Sequence, residues 1–322
     1  MRLSIILFAL LGYSAFAAPA RLAIVIDDFG YRKSNEEQVL QMPAAISVAV
    51  LPNAPLSQEM ARKAYQSGHE ILIHMPMAPL SKQPLERDTL RPTMSKEEIR
   101  RIIAQAIHNV PHAKGMNNHM GSAMTADLAA MKLVMQTLSH YQLYFLDSMT
   151  IGSSKSILAA QGTSVQTVKR NVFLDDDQNE AAVSKQFNQA VKMAQKNGSA
   201  IAIGHPHPNT IKVLQQMLPK LPANVVLVPV SALLPSAPLV DYPQHHAPDT
   251  EKTKKPATLP DNQLAATQPI QFVNPCPTQE SLNKINPSAA YSTLKNLLGY
   301  SPAVWSIYSY LTYCTVSPPV KH

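Results

Sequence analysis

Charge and aromatic side chains are both scarce in this sequence of 322 residues. Only 15% of its residues are charged and 6% are aromatic, which excludes a coiled coil and a charge-rich disordered chain. Cysteine is rarer still: Cys276 and Cys314 are the only two, both near the C-terminal end. No G-x-G-x-x-G and no G-x-x-x-x-G-K follows any strand-like run, which argues against a nucleotide-phosphate cradle. No basic run is longer than a pair such as Arg100-Arg101 or Lys254-Lys255, and none is interleaved with aromatics. Nucleic acid is therefore not an expected partner. Beyond the N-terminal segment, no stretch reaches the ~18 uninterrupted apolar residues that a membrane span needs.

What is present is an apolar fraction of 45%, enough for one large core with an appendage. The formal net charge is +7 and the pI about 9.3, a balance that suits anionic partners such as acidic glycans or lipid head groups, or simply a basic envelope protein. At the N-terminus Arg2 precedes the apolar run Leu3–Leu11, and the small-x-small triplet Ala15-Phe16-Ala17 follows. This reads as a signal peptide of residues 1–17 cleaved after Ala17, with an uncleaved anchor as the competing reading. The mature chain is then periplasmic or secreted, without a membrane span. In an exported chain an isolated cysteine pair reads as a Cys276–Cys314 disulfide, with two free thiols as the alternative.

Residues 18–240 alternate strand-like and helix-like patterns. Expected strands are Leu22–Ile26, Ala45–Leu51, Glu70–His74, Lys114–His119, Leu143–Asp147, Val165–Lys169, Ala200–Gly204 and Val225–Val230. They are rich in Val and Ile or apolar on both sides, as buried parallel strands are. Expected helices are Ser57–Gln66, a stretch opened by the Ser95/Glu98 capping box and running to about Val110, one from Thr125 to about Tyr141, Asn179–Lys196 and Thr210–Leu218. Such alternation indicates an α/β fold on a parallel sheet, either a barrel or an open doubly wound sheet. Residues 241–270, rich in Pro, Lys, Thr, Gln and Asp, read as a linker. Residues 271–322 form a small cysteine-bracketed C-terminal segment.

The polar residues that carry information stand at the strand ends, the face on which parallel α/β folds bind ligands. Five runs end in Asp27-Asp28, His74, Asn117-Asn118-His119, Asp147 and His205-Pro206-His207. Two adjacent carboxylates repel unless a cation or a proton relieves them. One of the doublet can ligate a metal while the other acts as base; the alternative is a turn pair. His74 and His119 beside a carboxylate suit Zn²⁺ with an open fourth position. Asp147 is placed to orient a neighbouring histidine or water. His205 is the general acid, with His207 as its fallback. His69, at the opposite end of its strand, is structural, and Asp175-Asp176-Asp177 reads as a solvated loop with N-cap character.

Several segments resemble the divergent polysaccharide deacetylase family, a branch of the NodB-type carbohydrate esterases. They are Ile24-Val25-Ile26-Asp27-Asp28-Phe29-Gly30, the stretch from Gly68 to Met77, Asn117-Asn118-His119-Met120-Gly121-Ser122, Phe145-Leu146-Asp147-Ser148 and Ile203-Gly204-His205-Pro206. The resemblance covers about Arg21–Val230. It implies a distorted (β/α) barrel of seven or eight parallel strands and hydrolysis of acetyl groups on a polysaccharide or peptidoglycan-type glycan. By the same resemblance Asp27 is the general base, Asp28 a metal ligand, His74 the first metal histidine and His205 the proton donor to the leaving group. The family's ordinary members carry a second metal histidine where this chain has Ala78, and their Arg-x-Pro-Tyr-Gly segment is replaced by Asn117–Ser122. We expect His119 to supply the missing ligand, Asn118 or a backbone N–H to stabilise the oxyanion, and Asp147 to orient His205. A competing class is a non-catalytic envelope protein that keeps the barrel to bind a glycan or partner.

Overall fold

The computed structural model describes residues 18–235. The expected signal peptide, the linker and the cysteine-bracketed segment lie outside the described residues.

Nine strands form one sheet: β1 (Ala20–Phe29), β2 (Ser47–Val50), β3 (Ile71–Met77), β4 (Gly115–Met120), β5 (Tyr144–Asp147), β6 (Thr167–Lys169), β7 (Val172–Phe173), β8 (Ser199–Gly204) and β9 (Val225–Leu227). Their order is β6-β5-β4-β3-β2-β1-β8-β7, with β9 also on β1. Every pairing is parallel, so all the strand ends of interest share one face. The eight expected strands are all present; β7, only two residues long, was not among them, because so short a run has no periodicity.

The two edge strands β6 and β7 are joined by Arg170 and Asn171 alone. A link that short reaches only on the order of 10 Å, whereas eight strands laid flat at ~4.8 Å spacing would stand more than three times as far apart. The sheet must therefore curl almost onto itself, a distorted barrel left open between β6 and β7.

The helices are α1 (Lys33–Val39), α2 (Ser57–Gln66), α3 (Lys96–Asn109), α4 (Ser122–Ala126), α5 (Leu128–Leu138), α6 (Ser156–Ala160), α7 (Glu180–Asn197) and α8 (Pro208–Met217). The Ser95/Glu98 capping box opens α3 as its sequence indicates. The helix expected from Thr125 is instead split. Asp127 accepts from Ala130 N at 2.9 Å and caps α5, while α4 stands apart before it. α8 starts two residues ahead of the expected Thr210, because Pro208 is well tolerated in a first turn. The short helices α1 and α6 carry no signal that we read. No helix among the described residues is long and apolar enough to cross a membrane.

Strand alternation sorts the core into two layers. Leu22, Ile24 and Ile26 of β1 pack outward into the large cluster shared with the helices, including Met60, Ile102, Met131 and Phe187. Ala23 and Val25 face inward with Leu72, Leu146, Ile201 and Ile203. This inner row decides which polar residues reach the barrel mouth.

Candidate active site

Counting two residues on from each inward-facing core residue reaches the mouth of the barrel. Val25 leads to Asp27 and Leu72 to His74. In the register of β3 on β4, Leu72 pairs with Gly115, His74 with Asn117 and Pro76 with His119. Asn117 and His119 therefore face inward beside His74. Ile203 leads to His205, and Phe173, paired with Ile203, leads to Asp175. Asp28 would face outward on this count. It is turned in by a β-bulge: the register slips between Ile26 and Phe29, and Asp28 takes φ 60°, a left-handed conformation that costs a non-glycine residue of order 1 kcal/mol or more.

The result is a tight triangle of ligand atoms. Asp28 Oδ1 lies 3.2 Å from His74 Nε2 and 3.1 Å from His119 Nδ1, and the two histidine nitrogens are 3.1 Å apart. Asp28 Oδ1 is buried without a hydrogen-bond partner. Three ligands sharing one tetrahedral ion at 2.0–2.1 Å would stand roughly 3.3 Å apart, so the donor set fits a divalent cation. Asn117 selects the ligating atom of His74: its Oδ1 lies 2.8 Å from His74 Nδ1, which makes Nδ1 the donor and leaves Nε2 bare. The same amide donates from Nδ2 to Asp27 Oδ1 at 2.8 Å. Asn117 is thus the buried link between the triangle and the second carboxylate.

The electrostatics separate the doublet. Burial pushes the Asp27 carboxyl above its ordinary value, against the opposing pull of His74 and His205. For Asp28 burial pushes the same way, but its contacts with His119 and His74 overwhelm it and hold the carboxyl far below the usual range. Burial alone would depress His74, yet Asp27 and Asp28 raise it. The carboxylates thus favour a cation at His74 Nε2, a position for which a proton and a metal ion would compete.

His205 stands at the edge of the triangle, its Nε2 3.9 Å from Asp28 Oδ2. Asp175, not Asp147, orients it. Asp175 Oδ1 is 2.9 Å from His205 Nδ1 and Oδ2 accepts the His205 backbone N–H at 2.6 Å, while Thr210 Oγ1 donates to the same Oδ2 at 2.7 Å. Burial tends to lower the His205 pKa, but Asp175, Asp27 and Asp28 together push it up to about 9. The stability this pair contributes is complete below the ordinary imidazole value and is lost as pH rises through about 9. Asp175→Asn is expected to move the His205 titration, followed by NMR of the ring protons, to a clearly lower pH; an unmoved midpoint would show that Asp175 does not set it.

Two expected site residues lie elsewhere. Leu146 faces inward, so Asp147 does not. Its Oδ1 accepts from Met149 N at 2.8 Å and its Oδ2 from Ser154 Oγ at 2.6 Å, which ties down the loop after β5. Asn118 alternates away from Asn117 and His119. Its Nδ2 donates to Met120 O at 2.6 Å and its Oδ1 accepts from Ser148 N at 2.9 Å, so it has no donor aimed at the triangle. Of the acidic run, Asp176 and Asp177 are exposed as expected, but Asp175 is buried. His69 is buried with Nδ1 2.8 Å from Ile46 O, in keeping with a structural role. Asn117, Asp175 and Arg170 went unrecognised as site neighbours. Arg170 donates to Ser148 O and Met149 O and lies 4.9 Å over the Phe173 ring, which meets His205 edge-on. Counting by twos from the inner row finds all three.

The family model described as divergent polysaccharide deacetylase matches residues 24–234. The uncharacterised protein YibQ of Escherichia coli (strain K12) is 53% identical over 289 residues, covering 89% of this chain and 88% of the relative. An uncharacterised protein of Haemophilus influenzae is 45% identical over 224 residues, covering 69% of this chain and 80% of the relative. Among solved structures, an uncharacterised protein of Agrobacterium tumefaciens C58 matches with a TM-score of 0.64 at 23% identity, covering 68% of this chain and 91% of the other; at that identity the likeness speaks to the fold alone.

Proposed function

This chain belongs to the divergent polysaccharide deacetylase family, and we propose that it is an exported, metal-dependent hydrolase that removes acetyl groups from an envelope polysaccharide of the peptidoglycan type. The observation that carries the reading is the Asp28–His74–His119 triangle with a buried carboxylate on one side and a cationic imidazole on the other. The Leu3–Leu11 run and the Ala15-Phe16-Ala17 triplet support export.

Asp28, His74 and His119 would hold the ion, and two nitrogens with one carboxylate favour zinc. Bound there, zinc supplies a Lewis acid that polarises the acetyl carbonyl and acidifies a water. Asp27 is the base. Asn117 fixes its Oδ1, leaving Oδ2 to take the proton of the attacking water, and burial strengthens its hold on that proton. His205 is the acid. Its Nδ1 is committed to Asp175, so Nε2 is the nitrogen that faces the site. As the bond from the acyl carbon to nitrogen or oxygen breaks, His205 Nε2 gives its proton to the departing amine or alkoxide, and acetate is released.

The test is acetate release from acetylated glycan oligomers by the metal-reconstituted full chain. We expect release that depends on added zinc and stops with a chelator. One equivalent of bound zinc with glycan binding but no acetate from any oligomer would instead support the non-catalytic binding protein.

A further inference from the structure

Beside the triangle a second group of polar side chains takes no part in the chemistry described above. His207 sits two residues past His205, with the two rings 5.6 Å apart. Its Nδ1 accepts from Arg32 Nη1 at 3.1 Å. Arg32 is exposed, yet its position is built from two directions. The buried Glu36 carboxylate accepts the backbone N–H of Gly30, Tyr31 and Arg32 at 2.9, 2.9 and 2.6 Å, which fixes the turn after β1. Asn35 Nδ2 donates to Pro206 O at 2.8 Å and ties that turn to the His205–His207 loop. The next cation along, Lys33, is paired with Glu59, and Lys212 of α8 is paired with Glu180. Arg32 has no carboxylate partner among the described residues.

An arginine held in one place on the rim of a site, with most of its planar donor fork free, is arranged to receive an anion. The interior groups are committed to the chemistry proposed above, with Asp27, Asp28 and Asp175 all facing His205. An acidic substrate can then meet a free cation at the rim, where Arg32 contacts His207 and His207 in turn stands beside His205. The net charge of +7 favours the approach of such a substrate. We propose that Arg32, propped by His207, is a specificity subsite for a carboxylate on the sugar unit next to the acetylated one. The substrate class is then an acidic, carboxylate-bearing glycan, an inference that rests on the glycan reading above.

The experiment measures binding and turnover separately on the zinc-reconstituted full chain. The probes are an N-acetylated oligosaccharide with alternating uronic acid units, its uncharged counterpart, and a counterpart carrying a phosphate monoester. We expect the carboxylated oligomer to bind about tenfold more tightly than the uncharged one, the low end for a hydrogen bond to a charged group, with the gap closing as salt is added. Arg32→Gln should bring the two affinities together, and Arg32→Lys should restore part of the difference. Equal binding of the two oligomers by the unmodified chain, discrimination that survives Arg32→Gln, or preference for the phosphorylated probe would each overturn the assignment. Acetate release from both oligomers without discrimination removes the subsite and keeps the deacetylase. Discrimination without acetate release keeps the subsite and removes the deacetylase.

Discussion

Asp27→Asn is expected to lower acetate release by about 10²–10⁴-fold, the contribution of a positioned general base, while the zinc content of the protein stays at one equivalent. The substitution is close to isosteric, and Asn117 can still donate to the remaining side-chain oxygen. What disappears is the only function the geometry gives to Asp27 Oδ2, which lies 3.7 Å from His74 Nδ1 and makes no ligand contact in the triangle. Turnover measured beside metal analysis separates this from a ligand defect. A variant that retains full turnover would remove Asp27 from the proton path; one that loses its zinc would place it among the ligands instead.

His74→Ala and His119→Ala are each expected to weaken zinc binding by more than the 10–100-fold that loss of a group merely orienting a ligand costs, and to abolish zinc-dependent turnover with it. Asn117→Leu removes only the group that presents His74, so its loss should fall within that 10–100-fold range. The same series distinguishes the two histidines. His74 is buried at 2% side-chain exposure and held by Asn117, whereas His119 is 18% exposed and has no such support. Competition with a chelator of known affinity, at a pH where His74 has released its proton, reads all three constants. Equal affinities for His119→Ala and the unmodified chain would show that the ion is held without the residue we place in the stead of the family's second histidine.

The parallel α/β architecture was legible because buried strands announce themselves as short apolar runs, and all eight of those runs became strands. The convergence of Asp27, His74, His119 and His205 followed from their places at strand ends. Asp147 misled because it too ends a strand, and a strand end specifies a height on the barrel but not a side of the sheet. Side is set by parity, and parity counted from Leu146 sends Asp147 outward and brings in Asn117 rather than Asn118. Asp175 was hidden for a different reason. It follows a strand two residues long and opens a run of three acidic residues, so its neighbours' exposure masked its own burial. Asp28 escapes any such count, because a bulge is a departure from the periodicity on which the count depends.

That departure also makes two chemically identical neighbours unequal. One extra residue in the β1 ladder leaves the Asp27 side chain buried, 3% exposed, and the Asp28 side chain 35% exposed. A glutamate at either would overshoot its seat by a methylene. The pair thus works as a deep and a shallow tooth of one key, and its spacing belongs to the kinked chain more than to the two aspartates themselves.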